Sequence, residues 1–361
     1  MKKQTKYPIF NTKEIKISWK LFVTVSLLFC LSSNVFAQDN KCIECHKETT
    51  AKKHIHGPTA TSCAACHESN GKKHPSTTKE VGFKLFAEGS ELCYSCHTEI
   101  REEHNLKFVH EPLKEGQCIK CHEMHSSDSP KFVSASAPDL CLSCHTSHKE
   151  GRANAKTVHT ASFEGESCLK CHNPHATKIK KLLVDENKTL CLSCHNKKLK
   201  KGERVIMNIE EHLKNNTHNH PALGKSCTAC HNPHYSERQL LLQQDYPSGN
   251  YAKGLTENYS LCFECHDTDL LNAEKTTTGT GFRNGDKNLH FVHVNKEKGR
   301  TCVNCHDIHA SKNTKLIADK VKFGRWDMPL NFIEKETGGT CLTGCHKERG
   351  YSKGDTPLTK E

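Results

Sequence analysis

The feature that most constrains this chain is a five-residue pattern, Cys-x-x-Cys-His, that occurs ten times in 361 residues. The first copy, Cys42, Cys45 and His46, stands alone. The others fall into pairs: Cys63, Cys66 and His67 with Cys93, Cys96 and His97; Cys118, Cys121 and His122 with Cys141, Cys144 and His145; Cys168, Cys171 and His172 with Cys191, Cys194 and His195; Cys227, Cys230 and His231 with Cys262, Cys265 and His266. Cys302, Cys305 and His306 pair with a longer variant, Cys341, Cys345 and His346. Paired cysteines also build zinc sites, but zinc does not require a histidine directly after the second cysteine. Histidine is under a tenth of the chain. Ten such histidines by chance is on the order of one in ten billion. The adjacency suits c-type haem, in which the thiols form thioethers to the vinyl groups and the next residue places an imidazole under the same porphyrin.

Composition then bears on what can fold. Only 34% of residues are hydrophobic and mean hydropathy is −0.71, so the polypeptide alone would bury little apolar surface. A large flat apolar cofactor at each motif supplies the missing core. Residues 1–37 read as a secretory signal: a lysine-rich start, an apolar run from Leu21 to Leu31 and Val35-Phe-Ala37 before the cleavage point. Ser26, Ser32, Ser33 and Asn34 leave that run short of a spanning helix, so no transmembrane segment is expected after processing. Its removal takes Cys30 with it and leaves 22 of the 23 cysteines, eleven pairs with none over. The formal charge of +11 includes six lysines and Glu14 from the signal, so the mature chain carries about +6. Haem propionates turn that balance acidic. The lysines are expected to offset propionates and dock redox partners, and no nucleic acid is expected as a partner.

The repeat reaches beyond the cysteines. Four units begin with a histidine followed six residues later by glycine: His110 and Gly116, His159 and Gly165, His218 and Gly224, His293 and Gly299. The same four continue as Cys-x-x-Cys-His-x-x-His, giving His125, His175, His234 and His309. The first pair has Asn70 where the extra histidine should be; His74 is the expected substitute, and His54 or His56 the upstream histidine. The boundaries this predicts are a signal over 1–37, a single-haem lead-in over 38–57 and five haem pairs over 58–104, 105–150, 151–205, 206–275 and 276–361.

On these motifs the chain resembles the doubled-CXXCH multihaem cytochromes of the cytochrome c3-like superfamily, and in motif density it is similar to the decahaem periplasmic subunits of porin-cytochrome conduits. The resemblance implies bis-histidine haems, little regular structure and electron transfer in anaerobic or mineral respiration. The fold class it leads to is a multihaem cytochrome c, short α-helices and coil wrapped around an elongated haem array, with little or no β-sheet. Residues 276–288, rich in threonine and glycine, are expected to be a flexible loop.

The 27 histidines less the eleven in the motifs leave 16, enough for a second imidazole at every iron. The candidates are His54, His56, His74, His110, His125, His148, His159, His175, His218, His234, His293 and His309. Methionine cannot compete, since only Met124, Met207 and Met328 remain after export. If Cys-x-x-Cys-His-x-x-His is helical, its two histidines lie about 5 to 6 Å apart on one face and cannot straddle one porphyrin. The extra histidine should then serve a neighbouring motif.

Two functions stay open. One is an exported low-potential electron carrier, in the periplasm foremost or else at the cell surface or outside it. It would hold about eleven covalently attached haems and no catalytic residues. Its partners would be membrane quinol-oxidising or outer-membrane cytochromes and terminal reductases. The other is a multihaem oxidoreductase of the nitrite, hydroxylamine or tetrathionate type, which needs an iron with an open position. A filament-forming extracellular cytochrome is a third arrangement that the repeats permit. The variant at Cys341 is expected to hold haem, with Gly344 supplying backbone freedom for the extra residue.

Overall fold

The computed structural model describes residues 40–76, 81–354 and 358; the expected signal segment lies outside the described residues. Short helices and single turns joined by coil make up most of the chain, with small scattered sheets, nearly all two-stranded. The described chain divides into two compact units, one within Met1–Cys96 and Cys118–Ser134, the other within His97–Gln117 and Ala135–Glu361.

Each motif is built on a tight turn. The first motif of every pair opens as a 3₁₀ turn: Cys63–Ala65, Cys118–Lys120, Ser167–Lys170, Cys227–Ala229 and Cys302–Asn304. The second motifs of the first four pairs instead start inside short α-helices, Ser90–Tyr94, Asp139–Leu142, Asn187–Leu192 and Ser260–Phe263. In both settings the second cysteine's N–H reaches the first cysteine's carbonyl, as from Cys171 to Cys168 at 3.2 Å and Cys194 to Cys191 at 3.3 Å. A three-residue turn brings side chains i and i+3 to the same side, which is what two thioethers to one porphyrin need. The histidine follows one turn on, its N–H on the same carbonyl, at 2.9 Å for His172 and 3.0 Å for His195.

Beyond the motif histidine the helix stops. His122, His172, His231 and His306 form single antiparallel bridges to Val133, Leu183, Leu242 and Ile317, so the condition of a helical His-x-x-His segment is not met. The cause is local. Asn173, Asn232 and Asp307 turn their side-chain oxygens onto the N–H of His175, His234 and His309 at 2.8, 3.0 and 3.2 Å, an alternative to helical pairing that such residues favour.

The small sheets tie one haem pair to the next. His54–Ile55 pairs with Ser126–Ser127, Phe108–Val109 with Ala176–Thr177, Thr157–Val158 with Tyr235–Ser236, and His218–Asn219 with Ala310–Ser311. At each crossing a histidine N–H meets the carbonyl of an extra histidine: His56 to His125, His110 to His175, His159 to His234 and His220 to His309, at 2.8 to 3.0 Å. In the fourth unit the structural equivalent of His110 and His159 is thus His220, and His218 lies in the strand before it.

The C-terminal part departs from the repeat. A hairpin of Lys320–Phe323 and Trp326–Pro329 precedes a three-stranded sheet of Phe332–Lys335, Gly338–Cys341 and Arg349–Ser352. Ala318, Val321, Met328 and Leu330 form a buried apolar cluster there. Residues 276–288 also differ from expectation. Arg283–Asn284 and Lys287–Asn288 form a hairpin, turned at Gly285-Asp286 with Gly285 at φ 60°, a two-residue turn that needs positive φ at its first position.

Candidate functional site

No two of the described cysteines are joined as a disulfide, and within each compact unit neighbouring motifs adjoin through their sulfurs. Cys93 lies against Cys118, Cys141 against Cys168, Cys191 against Cys227 and Cys262 against Cys302, each in hydrogen-bond contact. One thiol of such a pair donates to the other. The hydrogen bond from Cys141 thereby holds the Cys168 thiol down to about 5, and that from Cys191 holds Cys227 down to about 6. Within a pair the second cysteines are neighbours: burial, then Cys194, raises Cys171, and burial, then Cys265, raises Cys230. Burial, with Cys341 and Cys345 nearby, pushes Cys305 up to about 12. Within each of the two compact units these sulfurs follow one another in sequence order, first cysteines meeting between pairs and second cysteines within them.

Imidazoles face one another across matching gaps. His46 and His74 lie near-parallel with ring centroids 6.0 Å apart, His67 and His125 at 6.2 Å, His110 and His145 at 6.1 Å, and His159 and His195 at 6.4 Å. His172 and His234 follow at 6.1 Å, with His231 and His309 and also His290 and His306 at 6.3 Å. The planes in these seven pairs lie within 13 to 24° of parallel. A metal–nitrogen bond of about 2 Å plus roughly 1.1 Å from nitrogen to ring centroid puts two imidazoles on one iron a little over 6 Å apart. The gaps fit a haem iron held from both sides. Among the described residues no three His, Cys, Asp or Glu side chains converge as around a tetrahedral zinc.

The backbone orients these rings. Nδ1 of His122, His172, His231 and His306 faces the carbonyl of Lys131, Lys181, Leu240 and Lys315 at 2.8 to 2.9 Å. Each of those carbonyls is nine residues downstream, on a residue with left-handed φ. Nδ1 of His110 and His159 faces the carbonyls of Pro174 and Pro233 at 2.8 and 2.9 Å. Donation from Nδ1–H to a carbonyl fixes the tautomer, leaves the Nε2 lone pair for a metal and raises its basicity. Burial, then neighbouring imidazoles, hold His234 and His290 down to about 4, and burial likewise lowers His195, His231 and His309. Such rings stay neutral, the state that ligates.

Several candidates take other places. His74, expected to substitute within the first pair, lies against His46 of the lone motif. The rings of His231 and His234 meet different partners, His309 and His172, so one segment serves two neighbours although it is not helical. His54 and His218 sit in strands opposite Ser127 and Ser311. His56 is edge-on to Phe132 at 5.2 Å, and His148 is edge-on to His234 at 4.8 Å. His175 Nδ1 lies 3.4 Å from Glu103. His293 bonds the Leu289 carbonyl at 2.6 Å and stacks on Phe282. His97 Nδ1 lies 3.4 Å from Glu99, and His346 Nδ1 2.6 Å from the Lys347 carbonyl.

Sequence reasoning passed over His220 and His290. His220 was legible as the histidine seven residues before Cys227, the spacing of His56 from Cys63. His290 follows no repeat. It is brought to His306 by the helix Leu289–Val294, whose N-cap Asn288 bonds its N–H at 2.9 Å.

At the variant motif Cys341 ends a strand and Cys345 N–H bonds Thr343 Oγ1 at 3.1 Å, not the Cys341 carbonyl. Gly344 has no left-handed φ. What its missing Cβ provides is room, since a Cβ there would lie 1.9 Å from the Trp326 ring. Arg300 lies over the rings of Tyr251 and Phe323, which meet edge-on, and reaches the Cys345 sulfur at 3.2 Å.

Thiols in neighbouring pairs and imidazoles facing across iron-sized gaps define a multihaem c-type cytochrome, with haem bound covalently at the Cys-x-x-Cys-His motifs. The doubled CXXCH motif family matches residues 56–102, 110–150, 159–200 and 219–270, half of the chain, and the chain belongs to that family. It is also similar to a protein of Shewanella baltica (strain OS185) described as multiheme cytochrome MtrA, 31% identical over 114 residues, 30% of this chain. The match spans about a third of that relative, 32% of its length.

Proposed function

We propose that this cytochrome is an exported electron carrier with about eleven haems, most of them ligated by two histidines, that passes electrons between respiratory redox proteins. The observation that carries the reading is the set of seven imidazole pairs facing across iron-sized gaps, on motifs whose sulfurs adjoin within each compact unit. Bound haem supplies one-electron iron chemistry. The chain's own contribution is positional. His46, His67, His145, His172, His195, His231 and His306 hold one side of each site, and His74, His125, His110, His234, His159, His309 and His290 the other. His56, His175 and His293, at matching repeat positions, are further second ligands. Two neutral imidazoles leave no position for a substrate and give low potentials relative to His/Met ligation.

Quinol-oxidising or outer-membrane cytochromes and terminal reductases are the proposed partners, and the periplasm the proposed compartment. Among the described residues no helix is long and apolar enough to cross a membrane. The similarity to a multiheme cytochrome supports the carrier reading. Protein-film voltammetry tests it. The film is expected to show a broad reversible wave and no catalytic current with nitrite, hydroxylamine or tetrathionate; a catalytic current with any of them would establish the enzyme alternative.

A further inference from the structure

Shortly after His195 the chain forms a hairpin in which Leu199–Lys201 pairs with Arg204–Ile206 around Gly202-Glu203. Its return strand falls in residues 201–218, between two segments that match the doubled CXXCH motif family, so this strand is no part of the shared repeat. Residues 197–207 carry five basic side chains, Lys197, Lys198, Lys200, Lys201 and Arg204, against the single acid Glu203.

The strand register sorts these cations by face. Successive residues of a strand point to opposite sides, and directly opposed residues share a side. Leu199 and Ile206, opposed and half-buried, mark the inner side, and Lys201 opposite Arg204 shares it. Lys201 Nζ donates to the Val158 carbonyl at 2.7 Å, next to His159. Burial lowers His159, with the Lys201 charge adding to it, and burial lowers His231, with the Arg204 charge adding to it. The inner face is therefore set against imidazoles of two haem sites, where its cations offset propionates.

The outer side is composed differently. Lys200 opposes Val205 there, Lys198 and Met207 flank them, and Lys197 adjoins; all five are exposed, Val205 at 61%. Among the described residues none of these three lysines is paired with a carboxylate. Three cations around two exposed apolar side chains make a surface on which charge steers approach and an apolar centre seats the contact.

We propose that the outer face of this hairpin is the docking site for an acidic redox protein, seated beside the haems on Cys191 and Cys227. The proposal rests on the carrier reading and gives that reading one place where electrons enter or leave.

The experiment compares reduction of the fully loaded full-length protein by flavodoxin hydroquinone, an acidic protein donor, with reduction by lumiflavin semiquinone, a small neutral one. The triple change Lys197→Glu/Lys198→Glu/Lys200→Glu is expected to slow the first reaction roughly ten- to a hundredfold at low ionic strength. The deficit should close as salt rises, and the lumiflavin rate should stay within about twofold of wild type. Lys287→Glu/Lys298→Glu/Lys312→Glu, an equal charge change at exposed lysines elsewhere, should leave both rates near wild type. An undiminished flavodoxin rate, equal slowing by the two triple changes, or a deficit that persists at high salt or extends to lumiflavin would each overturn the proposal. Loss of binding to phosphatidylglycerol vesicles at an unchanged flavodoxin rate would assign the face to an anionic lipid surface instead. A wild-type protein that lumiflavin semiquinone does not reduce would fault the carrier reading itself and remove the proposal with it.

Discussion

Lys131, Lys181, Leu240 and Lys315 hold φ between 52 and 64°, and the residue after each is left-handed too. For residues with a Cβ this costs roughly 1 to 2 kcal/mol apiece, and it recurs thirteen residues after the first cysteine of four units. The conformation aims a carbonyl at the motif histidine. It is held in part by a hydroxyl: Ser236 Oγ donates to the Leu242 carbonyl at 2.6 Å and accepts from Arg238 N–H at 2.9 Å. Ser127 and Ser311 repeat both contacts. Ser236→Ala should therefore cost about 1 to 3 kcal/mol, the loss of a buried hydrogen-bonding group, read as a lowered midpoint of chemical unfolding; an unchanged midpoint would show that the hydroxyl does not hold the loop. Also at this scale, His309→Ala should convert one ferric haem to high spin while the haem on Cys302 stays attached. Electron paramagnetic resonance and intact mass report the two parts separately, and if the opened iron belonged to His306 the pairing of His309 with His231 would be wrong.

Among the elements, the helix Leu289–Val294 shows how an imidazole is set against a motif histidine without a repeat. Asn288 is fully buried. Its Oδ1 caps the helix at the N–H groups of His290 and Phe291, and its Nδ2 donates to the carbonyls of Asp269, Leu270 and Ala273 at 3.1, 3.3 and 2.7 Å. Asn288→Ala removes the cap and leaves three carbonyls short of a donor, a loss of about 2 to 3 kcal/mol. It should also release His290 from the His306 site as a new high-spin signal, with Asn288→Asp, which keeps the cap alone, falling between. The C-terminal hairpin depends on space at Gly344. Gly344→Ala would drive a methyl group into Trp326, and displacement of the ring should appear as a lower thermal midpoint.

Over the whole molecule, stability rests on cofactor more than on side-chain packing. Among the described residues buried apolar side chains are few, and large ones such as Ile119, Leu169 and Phe83 remain exposed, several of them within or beside attachment motifs. A chain with so little core of its own should not hold this structure when attachment is prevented. Expression without the attachment machinery is expected to yield a chain that lacks a cooperative unfolding transition. The haem number follows from intact mass, at about 616 Da for each. Eleven are expected, and a homogeneous ten with Cys341 and Cys345 open to thiol reagents would assign the variant motif a different role.

What the sequence determined by itself was the chemistry and its periodicity. Cysteine, cysteine and histidine in a fixed short spacing bind one cofactor through local backbone geometry, so the motifs, the paired register and the scarcity of regular structure were all legible without coordinates. The count of spare histidines also led to the expectation of a second imidazole at each iron, which is proposed above on the facing rings. Which imidazole meets which was decided by the tertiary structure. His74 against His46, His290 against His306 and His220 beside His266 depend on strands and caps that join residues far apart in the chain, and no short-range spacing encodes those contacts. The left-handed turns that orient the motif histidines were hidden for a related reason. Lysine, leucine and phenylalanine do not advertise positive φ, and they accept it here because the bonds made by their carbonyls and by nearby buried hydroxyls outweigh the strain.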